Sequence, residues 1–226
     1  MKKAFVILPL ILFCSSLFAA NLTALFSYCT FNVPESSPYI EVYLNVVGAT
    51  VKFVPVENNM KKGQIEVQWV IKDGDRVVHV DKYILNSPLI PLNDSLIPAF
   101  IDQQRVKLNA GTYKLELSIK DKNSENNPVT LHQEIKVAFP ADSVSLSDIE
   151  LIETYSKTTE QSKLTKSGYD IVPSVTSFYP RDITSLKFYA EVYQTNKIPA
   201  DEYLVRYFIS RFDNNKTLSS YSFNLR

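Results

Sequence analysis

The sequence predicts an all-β chain of tandem immunoglobulin- or fibronectin-III-like β-sandwiches, the second of them incomplete. Three observations predict it. Short runs of alternating apolar and polar residues, bounded by turn formers, recur from Leu22 onward, and successive side chains of a strand point to opposite faces. Two nearly identical pentapeptides, YIEVY at 39–43 and YAEVY at 189–193, each open a series of strand-like runs, the pattern of a repeated unit. Gly111 and Tyr113 stand at the start of a third kind of run, where sandwich domains place a tyrosine that bonds back to the preceding loop.

Residues 1–20 read as an export leader. Lys2 and Lys3 precede an apolar run from Ala4 to Leu12 and a small-residue exit, CSSLFAA, the three parts of a cleavable signal peptide. The run falls short of the ~20 residues that span a bilayer, so no transmembrane span is expected after cleavage. The exported chain would reach the periplasm, the outer membrane or the exterior. It keeps one cysteine, Cys29, which allows no intramolecular disulfide.

Residues 21–140 read as the first sandwich. QIEVQWVIK sets Ile65, Val67, Trp69 and Ile71 on one face, and a tryptophan on a central strand is often buried in such folds. Asp73-Gly74 is expected to supply the two positive φ angles of a type I′ turn, with RVVHVDKYIL returning; there Val78 and Val80 point in and His79 points to solvent. In LNAGTYKLELSIKD, Leu115, Leu117 and Ile119 face inward and Tyr113 is the corner tyrosine. LHQEIKVAF closes the unit at Pro140.

Residues 141–180 read as a linker, an edge strand at DIELIE and a long surface loop through KTTEQSKLTKSGYD. Residues 181–226 read as a partial second sandwich. Laid on the first unit, Ala190 and Val192 match Ile40 and Val42 on the inward face. Tyr189, Glu191 and Tyr193 match Tyr39, Glu41 and Tyr43 on the outward one. Tyr203, Val205, Tyr207 and Ile209 then stand for Ile65, Val67, Trp69 and Ile71. With only about four strands the second copy would leave an apolar sheet face uncovered. Its expected cover is another envelope protein or a missing carboxy-terminal portion of the chain itself.

SPYIEVY, LNAGTYKLELSIKD, LSDIELIE, KSGYDIVPSVTSFYP and LKFYAEVY, in that order, resemble the amino-terminal region of GWxTD-domain proteins, exported proteins of Bacteroidetes bacteria. The similarity covers most of residues 25 to 210. It implies two all-β domains followed by a domain bearing a Gly-Trp-x-Thr-Asp signature. The single tryptophan, Trp69, precedes Val70-Ile71-Lys72, so the signature domain is absent, and the resemblance brings no mechanism with it.

Composition narrows the function classes. With 24 basic and 24 acidic residues there is no basic patch for nucleic acid. Nucleophilic catalysis needs a base beside its nucleophile, yet His79 and His132 are the only histidines and both sit in strand patterns without a supporting motif. Asp-Gly-Asp at 73–75 and DKNSEN at 121–126 suit calcium better than zinc, although Asp-Gly is first a turn former. No catalytic, cofactor or metal residues are expected. The candidate ligand face is the outward ladder Tyr39, Glu41, Tyr43, Tyr189, Glu191 and Tyr193, since tyrosine offers stacking area with a polar handle. The rival reading is scaffold, with Glu191 paired across the strand to Arg206. The leading expectation is a non-enzymatic, exported envelope protein for protein interaction or assembly. The alternative is a glycan- or peptide-binding module using aromatic sheet faces.

Overall fold

The computed structural model describes residues 21–225 apart from positions 35, 177, 200–201, 211–212 and 214–216, with the backbone alone over 217–225. The leader at 1–20 lies outside the described residues. The chain is all-β, and no helix among the described residues is long and apolar enough to cross a membrane.

In the first unit, β1 (Ala24–Phe31), β2 (Tyr39–Val46) and β8 (Phe100–Lys107) form one antiparallel sheet in the order β1-β2-β8. Facing it is a second sheet in the order β10-β9-β5-β6, from β5 (Gln64–Asp73), β6 (Arg76–Asn86), β9 (Gly111–Asp121) and β10 (Val129–Val137). The short strands β3 (Val54–Val56), β4 (Met60–Lys62) and β7 (Ile90–Pro91) make a small sheet of their own. Alternation determines what is buried. Ile40 and Val42 from one sheet meet Ile65, Val67, Trp69, Ile71, Leu115, Leu117 and Ile119 from the other in one apolar core, a β-sandwich of two layers.

Tyr113 is a corner tyrosine: its hydroxyl donates to the carbonyl of Asn109 at 2.9 Å, across the loop before β9. Tyr113→Phe is expected to lower stability by about 0.5–1.5 kcal/mol, the net worth of one such bond. A urea titration of the two proteins would show the loss as a lower midpoint at unchanged slope.

Two expectations for the β5–β6 hairpin change. The turn centres on Gly74-Asp75, with Asp73 opposite Arg76, and only Gly74 has positive φ, 59°. A two-residue turn with glycine first needs a single left-handed residue, so Asp73 need not adopt one. Beyond the turn the register shifts: Lys72 lies opposite Val77 but Ile71 lies opposite His79. Val78 is thus an extra residue, and one extra residue reverses the facing of everything after it. His79 therefore points inward, its ring 4.9 Å from that of Trp69, while Val78 and Val80 are 36% and 61% exposed. Burial lowers the His79 pKa below the usual imidazole value.

The stretch expected as linker and loop is structured. It contains β11 (Ser145–Leu146), β12 (Glu150–Lys157), β13 (Thr165–Lys166) and β14 (Tyr169–Pro173). With β15 (Lys187–Tyr189) most of these form a sheet in the order β13-β14-β12-β15, and β11 pairs with β16 (Val192–Tyr193). Ser167-Gly168, with φ of 49° and 79°, joins β13 to β14 as the two left-handed residues of a type I′ turn. YAEVY is split here between β15 and β16, whereas YIEVY runs unbroken in β2. β17 (Tyr203–Ser210) and β18 (Thr217–Leu225) form the expected hairpin as a two-stranded sheet.

Candidate functional site

Backbone alternation sets Tyr39, Glu41 and Tyr43 on the face of β2 opposite Ile40 and Val42, as the sequence implies. The middle of that face does not meet water. Glu41 is 0% and Tyr43 2% exposed, because the segment from β11 to β16, the second unit, lies over the sheet. Across β2 the same face carries Cys29 and Phe31 from β1, opposite Glu41 and Tyr39, and Gln103 and Arg105 from β8, opposite Tyr43 and Glu41. Onto this row come Glu150 at the head of β12, Lys166 at the end of β13, and Tyr189 at the end of β15.

Lys166 bridges the units. Its Nζ lies 2.5 Å from Glu41 Oε2 and is also bonded to Glu150 Oε2. Glu41 in turn accepts from Arg105 Nε at 2.5 Å, from the Tyr43 hydroxyl at 2.7 Å and from the Gln103 amide at 3.2 Å. The ammonium sits 4.2 Å from the centre of the Phe31 ring and 5.3 Å from that of Tyr189, close enough for cation–π attraction. Two carboxylates thus meet two cations. Buried charge is tolerated in this form, paired and hydrogen-bonded, because desolvation would otherwise outweigh the attraction.

The second triplet faces the same seam. Tyr189 and Tyr193 both donate to Glu191, at 2.6 and 2.5 Å, and the Asn32 N–H donates to the Tyr193 oxygen at 3.0 Å. Phe31 stands between the copies, its ring 5.4 Å from Tyr39 and 6.2 Å from Tyr189. All six residues of the proposed ligand ladder are therefore brought together, but the triplets line the join between the units instead of an open platform. Glu191 is held by its own tyrosines, and Arg206 on β17 lies opposite Ser222 on β18, so the expected Glu191–Arg206 pairing is replaced.

Burial raises the pKa of Tyr39, Tyr43 and Tyr193, and pushes that of Tyr189 up to about 12. It pushes the Cys29 thiol up to about 12 as well, with help from Glu150 and Asp148, so this cysteine is an inert packing residue. Burial also raises Glu150, against the opposing pull of Lys166. An acid whose folded pKa exceeds its unfolded value of 4.5 holds extra protons in the fold. Its contribution to stability therefore falls as pH rises above that value and through the folded pKa. Glu150→Gln removes this loss. The stability of the variant minus that of the wild type, from guanidinium midpoints between pH 4 and pH 8, is expected to increase with pH.

Beside the seam lies a cleft of about 600 Å³. Phe26, Ser27 and Tyr28 of β1 form one wall; Leu151, Pro173 and Val175 contribute to the other. At its end Asp148 Oδ2 accepts from both the N–H and the hydroxyl of Thr30 at 2.7 Å, and the Asp148 N–H donates to the Thr30 carbonyl at 3.2 Å.

Neither the cleft nor the ionic cluster is visible in the sequence. Lys166, Glu150, Arg105 and Gln103 belong to no shared motif, and only the positive-φ turn after Lys166 could have hinted at a hairpin there. Among the described residues no group of three or more His, Cys, Asp and Glu could hold a metal ion. Asp121, in the stretch considered for calcium, accepts from the backbone N–H groups of Lys52 and Asn123 at 2.6 and 2.9 Å. His79 packs on Trp69 and His132 is exposed on β10. No protein-family model, curated protein or solved structure matches the chain.

Proposed function

We propose that this chain is an exported, non-enzymatic protein of the bacterial cell envelope whose tandem β-sandwich units serve protein interaction or assembly. Its place would be periplasmic, outer-membrane-associated or extracellular, and its relatives the GWxTD-domain proteins that its amino-terminal motifs resemble. Exposed apolar side chains beyond Pro140 carry this reading: Phe178 is 74%, Ile149 63%, Leu146 61% and Phe208 60% exposed. Apolar surface of this kind marks contact sites for other macromolecules. The buried Trp69 and the corner Tyr113 support an immunoglobulin- or fibronectin-III-like type for the first unit.

Binding of glycans on the aromatic sheet faces loses its support, since those faces are closed against each other. Binding of a peptide keeps a specific observation in its favour, the cleft beside β1.

Cell fractionation combined with a photoreactive phenylalanine analogue at positions 178 and 208 tests the proposal. The expected result is a leader-cleaved chain in the envelope or medium that cross-links to a partner protein. A leader-bearing chain in the cytosol would overturn it, as would a hydrolase activity abolished by His79→Ala or His132→Ala.

A further inference from the structure

β1 is an edge strand. It pairs with β2 along all eight residues, and its other side is engaged by the second unit at Thr30, through Asp148. The N–H and C=O of Thr30 both point to that outer side, while the carbonyl of Thr23 accepts from Val47, next to β2. Alternate residues of an antiparallel strand aim their main-chain groups to opposite sides. Phe26 and Tyr28 therefore share the direction of Thr30, and their N–H and C=O groups aim into the cleft.

The other three edges of the sandwich are guarded by charge. β6 carries Arg76, Asp81 and Lys82 and a bulge; β8 carries Asp102, Arg105 and Lys107; β10 carries Glu134 and Lys136. β1, reading ALFSYCTF, carries no charge, proline or glycine. Proteins blunt free edges with such devices to prevent pairing, and here they are missing on the edge that lines the cleft of about 600 Å³.

The cleft is also acidic. Its lining includes the exposed Asp148 and also Glu150, which is bonded to Lys166 through Oε2, and neither lysine nor arginine. Glu150 is 1% exposed, and its Oε1 has no hydrogen-bond partner among the described residues. Asp148 spends Oδ2 on Thr30 and is otherwise exposed.

We propose that this cleft binds an extended segment of a partner protein, which adds as a further strand to the β1 edge and presents a lysine or arginine to Asp148 and Glu150. Rows of main-chain bonds supply affinity in this mode of recognition, and side-chain pockets supply specificity. The free edge over Ala24–Tyr28 suits about five residues of extended chain, roughly 17 Å at the usual rise. A second copy is the weaker occupant, because its β1 carries no cation and brings a whole sandwich against the wall at Pro173–Thr176. The proposal rests on the interaction role above and specifies the partner's chemistry.

Fluorescence anisotropy with the full exported chain tests it, using three labelled heptapeptides as probes. The first is Thr-Val-Lys-Val-Lys-Val-Thr, the second has glutamate for lysine, and the third is the first N-methylated at alternate residues. The basic peptide is expected to bind saturably, the acidic one not to bind, and the methylated one to bind about tenfold more weakly, the equivalent of one or two lost main-chain bonds. Asp148→Asn keeps an oxygen for Thr30 and is expected to weaken the basic peptide several-fold at unchanged thermal midpoint. Equal binding of the methylated peptide would overturn strand addition, and equal binding of the acidic one would overturn the charge match. A concentration-dependent dimer with no peptide binding would assign the edge to a second copy and also overturn it. Photo-cross-linking through positions 178 and 208 would still succeed in any of these cases if the broader interaction role holds.

Discussion

Lys166→Met is expected to cost about 3–5 kcal/mol of the stability of the seam, the range for removing one partner of a buried ion pair. The methionine is close in length and apolar, so little packing is lost. What changes is that Glu41, 0% exposed, and Glu150, 1% exposed, lose the cation between them. Arg105 still pairs with Glu41, but Glu150 is left as a buried charge without a counterion. The damage should be local. Hydrogen exchange should accelerate at the amides of Asn32, Asp148 and Glu191, which bond across the seam or beside it, while core amides of β5 and β9 stay slow. Replacing the pair together, with Lys166→Met and Glu150→Gln, should recover most of the loss, because Glu41 keeps Arg105 as its counterion and no buried charge is left unpaired. If exchange at the seam is unchanged in the single variant, the cluster contributes nothing to holding the units together.

Trp69→Ala is expected to lower global stability by about 3–5 kcal/mol, the range for emptying a buried aromatic site. Trp69 is 2% exposed on β5, in the interior of its sheet, with Leu117 of β9 opposite on one side and the ring of His79 packed on it. Trp69→Phe should cost clearly less, since it retains a ring and leaves a smaller cavity. Chemical denaturation followed by far-ultraviolet circular dichroism measures both. A second readout is specific to the site: burial lowers the His79 pKa, so opening that contact should raise it toward the ordinary imidazole value in an NMR titration. A folded Trp69→Ala protein with an unshifted His79 would refute the packing role assigned to this pair.

These two residues differ in how readable they are. Trp69 belongs to a period-two run, Ile65, Val67, Trp69 and Ile71, whose burial follows from alternation alone. Lys166 sits between a polar stretch and a turn, and nothing local distinguishes it from a solvated lysine. Its burial depends on residues more than a hundred positions away. His79 lies between these cases. Alternation is a sound guide until a bulge adds one residue, and Val78 reverses its facing without leaving a mark in the sequence. The two-residue strand before Ser167 is too short to show periodicity, so its hairpin looks like a loop in the sequence.

The echo of YIEVY and YAEVY contains both lessons. Alternation by itself determined that Ile40 and Val42 share one face and Tyr39, Glu41 and Tyr43 the other, and that the chain is all-β with a corner tyrosine and a buried tryptophan. These follow from local period and turn chemistry, which each short segment carries alone. Only the tertiary structure decided that the outer face is closed, that both triplets line one seam, and that Lys166 neutralises two buried carboxylates there. Those outcomes depend on which surfaces meet, and contact between distant segments is set by the packing of whole sheets rather than by any residue's neighbours in sequence.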